Sequence, residues 1–157
     1  MSLEEFLKSE YDGYVLKPKE EVEHLEKEDD YGNVEYKLKL VHPNQERIEQ
    51  LTTQMKFRLQ EGNGEAKYVI GVEDDGTPKG LSFQEMYRSL KTLCGMASAL
   101  KADVVILQMR HGYEGKLTEL EVRSNQKDGI KLDIKIMLLG DKQSGKSTLV
   151  RVVLNYN

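Results

Sequence analysis

Between Phe83 and Leu100 six apolar residues (Phe83, Met86, Leu90, Leu93, Ala97 and Leu100) recur at spacings that alternate between three and four. That is the period of one helical face, sustained for about five turns. A helix with a single apolar stripe is marginal alone in water, so the stripe must be buried against another layer. Ser82 stands before it with Glu85 three residues on, the sequence of a capping box, which fixes where the helix starts.

The flanking sequence supplies the second layer. "AKYVIGV" holds a short apolar strand from Tyr68 to Val72, and Asp75-Gly76 in "EDDGTPKGL" signals a hairpin turn into Lys79–Leu81. After the helix, "ADVVILQMR" reads as a buried strand. "GYEGK" then turns the chain into "LTELEVRS", whose Leu120 and Val122 point inward. Upstream, "VEYKLKLV" alternates Val34, Tyr36, Leu38 and Leu40 against Glu35, Lys37 and Lys39, the pattern of a half-buried strand. Pro43 and Asn44 open a further helix with Ile48, Leu51, Met55 and Leu59 on one face, and "EGNGE" closes it. The order is β-α-β(β)-α-β-β. It predicts a compact α/β sandwich over residues 34–124 with its helices on one face of the sheet.

Residues 1–33 are different. They hold eleven of the 27 acidic residues but only four of the 23 basic ones, a net charge of −7 against +3 for the remainder. "LEEFLKSEY" spaces Leu3, Phe6 and Leu7 for a short helix, and "KPKEEVEHLEKEDDYGN" has few large apolar side chains, so a mobile acidic lead-in is expected. No run approaches the roughly 18 apolar residues of a membrane span, and the acidic start lacks the basic flank of a secretion signal. Cys94 is alone and lies beside the helical stripe, the place of a reduced structural thiol. A cytoplasmic protein is expected. His24, His42 and His111 are scattered, and turn chemistry accounts for Asp74 and Asp75, so no catalytic constellation is expected in this domain.

The last part of the chain, residues 130–157, carries a chemical motif. "IKLDIKIMLLG" is a strand pattern ending abruptly at Gly140, and "GDKQSGKST" matches G-x-x-x-x-G-K-[ST] at Gly140, Gly145, Lys146 and Ser147. The two glycines permit close backbone approach, so that N–H groups of Asp141, Lys142, Gln143 and Ser144 can turn inward around a phosphate. Lys146 would reach the β- and γ-phosphates, Ser147 would ligate Mg²⁺, and Thr148 would support the helix start. Leu149, Val152 and Val153 recur at helical spacing, completing a strand, loop and helix start. Hydrolysis would need a second acidic magnesium ligand and a group that positions water. Base reading would need a further element, and Asn-Lys-x-Asp occurs nowhere in the chain. The chain is therefore expected to be the opening of a longer protein, with no hydrolysis of its own.

The order of these parts, from "QERIEQLTTQMKFRLQEGNGEAKYVIGVEDDGTPKGL" through "MYRSLKTLCGMASALKADVVIL" and "LTELEVR" into the phosphate loop, resembles the N-terminal region of the elongation-factor-like GTPases of the GTP-binding protein one and two family. The resemblance spans residues 34–157. It implies a translational-type GTPase that binds GTP and Mg²⁺ through Gly140, Gly145, Lys146, Ser147 and Thr148, with links to the ribosome, its quality control and messenger RNA turnover. The loop interior departs from the family's usual Asn-Val-Asp, having Asp141, Lys142 and Gln143. Gln143 replaces a charged ligand of a monovalent cation, which puts cation-assisted hydrolysis in doubt. A narrower likeness, "YVIGVEDDGTPKGL" to the Schlafen-type AlbA hairpin, implies instead a non-enzymatic module that contacts RNA or the ribosome and carries a vestigial loop.

Overall fold

The computed structural model describes residues 1–125 together with the backbone of residues 135–140 and 148–154. The element order is α1 (Leu3–Tyr11), β1 (Val34–Lys37), α2 (Gln45–Glu61), β2 (Glu65–Ile70), α3 (Phe83–Ala99), β3 (Ala102–His111), β4 (Lys116–Ser124), β5 (Lys135–Gly140) and β6 (Thr148–Leu154). The strands form one mixed sheet in the order β1-β2-β4-β3-β6-β5. Only β1 and β2, joined through α2, run parallel, and the remaining neighbours are antiparallel.

The helices start where their caps dictate. Asn44 accepts from the Arg47 amide at 2.8 Å, and Ser82 and Glu85 form the reciprocal capping box of α3. Met86, Leu90, Leu93 and Ala97 of α3 are buried together with Leu51, Met55 and Leu59 of α2. They rest on Ala66, Tyr68, Ile70, Val104, Ile106, Leu120 and Val122, the residues of β2, β3 and β4 that share one face. The expected α/β class holds, with α2 and α3 packed on one face of a mixed sheet. A register shift between Ile106 and Gln108 lets β3 turn Arg110 toward the opposite face while Met109 still packs on the core.

Four expectations change. Residues 1–33 were expected to be a solvated lead-in, yet α1 buries Phe6 and Leu7 in the main core, and Val22 is buried too. The reason is local: Leu3, Phe6 and Leu7 share one helical face, so a short stretch of acidic sequence still presents an apolar stripe. Lys79–Leu81 is no strand. Only Leu81 bridges, to Lys116, because residues 77–81 cross the β3–β4 turn instead of returning along β2. In β1, Glu35 is buried although the alternation placed it outward, and Leu38 lies beyond the strand.

The fourth change concerns the end of the chain. Thr148–Leu154, expected as the helix start after the phosphate loop, is a strand, and β5 pairs with it antiparallel, in no parallel sheet. Thr148, Val150, Val152 and Val153 are β-branched, and β6 gains β5 as a partner along one side and the edge of β3 at Val152–Leu154 on the other. Residues 130–134, the first part of the expected entering strand, lie outside the described residues. Among the described residues no helix is long and apolar enough to cross a membrane.

Candidate functional site

The sequence places the candidate site in one stretch, Gly140 to Thr148. Gly140 is the last residue of β5 and stands directly across from Thr148, the first of β6. Asp141, Lys142, Gln143, Ser144, Gly145, Lys146 and Ser147 lie outside the described residues. The frame that carries them joins the edge of the domain's sheet, with Val104, Val105 and Ile106 of β3 facing Leu154, Val153 and Val152. An extended β6 presents no helix N-terminus, so in this arrangement Thr148–Leu154 adds no helix dipole to the field that a phosphate would meet.

In the α/β domain two clusters of polar and ionisable groups are engaged by the fold. Arg58 sits on the buried stripe of α2 and donates from Nε to Oε2 of Glu35 at 2.9 Å, with Nη2 in an ion pair 2.8 Å from the same oxygen. Its remaining donors hold the Gly32 and Asp29 carbonyls, each at 2.9 Å, and Lys37 Nζ lies 3.1 Å from the other Glu35 oxygen. Tyr68 packs near this pair, and burial, with Glu35 second, pushes its phenol upward. This cluster escaped the sequence reading. Its one signal was Arg58, three residues after Met55 and one before Leu59, on a stripe that is otherwise apolar.

A second cluster ties α1 to the turn between β3 and β4. The Tyr11 hydroxyl donates to the Leu81 carbonyl at 2.8 Å and that of Tyr14 to the Gly115 carbonyl at 2.9 Å, while Lys116 lies over both rings and donates to the Glu10 carbonyl. Tyr14 also stacks on His111, whose imidazole is held below its ordinary range by burial and by Lys17 and Lys116. Gly80 and Gly115 make this crossing possible. A Cβ on Gly80 would lie 2.3 Å from the Gly115 oxygen, and one on Gly115 would lie 2.2 Å from the Leu81 oxygen.

Cys94 is buried and its thiol is pushed up to about 12, which leaves it protonated. Asp75 accepts from the Thr77 amide at 2.9 Å, the turn bond its sequence implies, and the Thr77 hydroxyl first, then this amide, lowers its pKa. Among the described residues no group of three or more His, Cys, Asp or Glu is placed to hold a metal ion. A shallow cleft of about 250 Å³ lies among the ends of α2, α3 and β4, lined by Lys56, Gln60, Asn63 and Ser124, with no buried titratable group aimed into it.

No protein-family model and no solved structure matches the chain. It is similar to the GTP-binding protein 2 of Mus musculus and of Homo sapiens, 50% identical over 135 residues, which are 83% of this chain and 22% of each relative. It is also similar to the GTP-binding protein 1 of Xenopus laevis, 36% identical over 121 residues, 77% of this chain and 18% of that protein. The chain thus spans about a fifth of the length of these curated relatives. Similarity over so much of the chain supports a relation to the GTP-binding protein 1 and 2 family.

Proposed function

We propose that this chain is the N-terminal portion of a translational-type, elongation-factor-like GTPase, and that Gly140–Thr148 is its guanine-nucleotide phosphate loop. The observation that supports this best is the join of two independent features. A G-x-x-x-x-G-K-S run begins where β5 ends, at Gly140, and relatives named GTP-binding proteins match the chain over most of its length. Lys146 supplies the cation for the β- and γ-phosphates, and the amides from Asp141 to Gly145 supply directed donors. The donor set suits Mg²⁺, a hard cation that takes oxygen ligands: the Ser147 hydroxyl would hold it, with phosphate oxygens and water completing the shell. When bound, the ion neutralises charge between the phosphates.

A helical Thr148–Leu154 would add its N-terminal amides and dipole to the donors of the loop, and the strand form lacks that contribution, so it binds phosphate more weakly. Ribosome or RNA contacts and a cytoplasmic setting belong to the same reading, carried by the resemblance to elongation-factor-like GTPases.

The test is turnover and affinity of the 157-residue chain with Mg²⁺-GTP and Mg²⁺-ATP. Weak, equal binding and no hydrolysis are expected, since the loop contacts only phosphates common to both nucleotides. Clear preference for GTP, or multiple turnovers, would contradict this division of labour. A second reading, a non-enzymatic RNA or ribosome module with a vestigial loop, draws on the strand form of Thr148–Leu154. It predicts binding of a ribosomal RNA fragment with no nucleotide affinity at all.

A further inference from the structure

The sheet has helices on one face only, and the opposite face is crossed by residues 22–28 of the acidic segment. Leu25 packs against a small apolar cluster of Tyr36, Val69, Val72 and Leu117, and Val22 is buried close by in sequence. Polar contacts hold the crossing along its length. Glu23 lies 3.6 Å from Arg110, the Leu25 and Glu28 amides donate to the Gly76 and Asp74 carbonyls at 3.0 and 2.8 Å, and the Glu28 carboxylate accepts the Tyr36 amide. Gly76 is indispensable here, for its φ is +92° and a Cβ on it would lie 2.2 Å from the Leu25 oxygen.

The surface beneath is better furnished than its occupant. β1 pairs with β2 on one side, and among the described residues no strand pairs with its other edge. The Tyr36 amide on that edge is met by a side chain instead of a backbone carbonyl. Arg110 already pairs with Glu119 at 2.6 Å, but its Nε is buried without an acceptor. The crossing segment brings one apolar residue, Leu25, onto the cluster, with Val22 buried three residues before it, and no strand ladder. Burial, with repulsion from Glu35 and Asp74, raises the Glu28 carboxyl above the ordinary range, so its ionised form is held less firmly.

We propose that this face is a docking groove for an extended acidic segment of a partner protein, and that residues 22–28 are a built-in strap occupying it until the partner displaces them. The occupant defines the ligand: an extended chain with two apolar residues three apart, a carboxylate between them for Arg110, and an acceptor for the Tyr36 amide. A strand that also pairs with the β1 edge would satisfy donors and acceptors that the strap leaves to solvent. A nucleic acid fits less well, since it offers neither apolar side chains for the cluster of Tyr36, Val69, Val72 and Leu117 nor a strand backbone for the β1 edge.

The probe is a fluorescein-labelled peptide of the strap sequence, KEEVEHLEKEDDYG, titrated by anisotropy against the full chain and its Val22→Ala/Leu25→Ala variant. The variant should bind it about tenfold or more tightly than the parent, because the tethered strap competes at high effective concentration. Adding Arg110→Ala to the variant should abolish that gain, as should replacing valine and leucine by serine in the peptide. If the double variant loses its circular dichroism, Glu23→Ala/Glu28→Gln, which spares the apolar anchors, makes the same comparison. Equal binding to parent and variant, or none to either, would overturn the proposal. So would capture of an oligouridylate in place of the peptide, or self-association of the variant without peptide binding.

Discussion

Arg58→Ala is the substitution whose cost the structure fixes best. Arg58 and Glu35 are 4% and 5% exposed, so removing the guanidinium strands a carboxylate in the core, with Lys37 as its nearest remaining cation. It also orphans the carbonyls of Gly32 and Asp29, which anchor the start of β1. Breaking a buried pair from one side costs about 3–5 kcal/mol. With a urea slope of about 2 kcal/mol per M for a domain of this size, the unfolding midpoint falls by about 2 M. The chain has no Trp, so far-UV circular dichroism is the suitable signal. The double variant Glu35→Met/Arg58→Met should be less damaged than Arg58→Ala, since neither charge is then left alone. A midpoint shift under about 0.5 M, or additive losses in the double variant, would show that the pair does not hold β1 to α2.

Other outcomes follow from single contacts. Ser82→Ala removes half of the α3 capping box and should cost about 1 kcal/mol by the same urea titration. Gly76→Ala should raise hydrogen exchange across residues 22–28 while leaving α3 and β3 protected, because the new Cβ meets the Leu25 carbonyl. Burial and the lysines beside His111 depress its pKa below 6.5, so the folded state favours the neutral ring. Stability present above the unfolded value is then lost as pH falls through 6.5 toward the folded value. The melting temperature should drop more between about pH 7.5 and 5.5 for the parent than for His111→Gln.

Much of the domain could be read from periodicity. The stripes of α2 and α3 and the apolar strands β2, β3 and β4 follow directly from burial on one face, and Asn44 and Ser82 marked their helix starts. Three things were hidden because they depend on partners distant in the chain. Glu35 sits where alternation predicts solvent, and only the fold brings Arg58 across to it. The docking of α1 depends on Tyr11 and Tyr14 reaching carbonyls of Leu81 and Gly115, a match that no local pattern encodes. The path of residues 22–28 depends on a glycine φ at Gly76 and on Arg110, which the irregularity in β3 turns outward. The phosphate loop was legible as a motif. Its following segment was not, because Leu149, Val152 and Val153 fit a helical stripe while the β-branched residues among Thr148–Leu154 equally suit a strand.

The central claim is that Lys146 holds a nucleotide's phosphates, and isothermal titration of the chain with Mg²⁺-GTP tests it most directly. The account predicts weak binding that Lys146→Ala abolishes and Lys142→Ala leaves largely intact, since the loop pattern requires a lysine only at the former position. Binding by Lys146→Ala as tight as by the parent, or no binding by the parent at all, would contradict it.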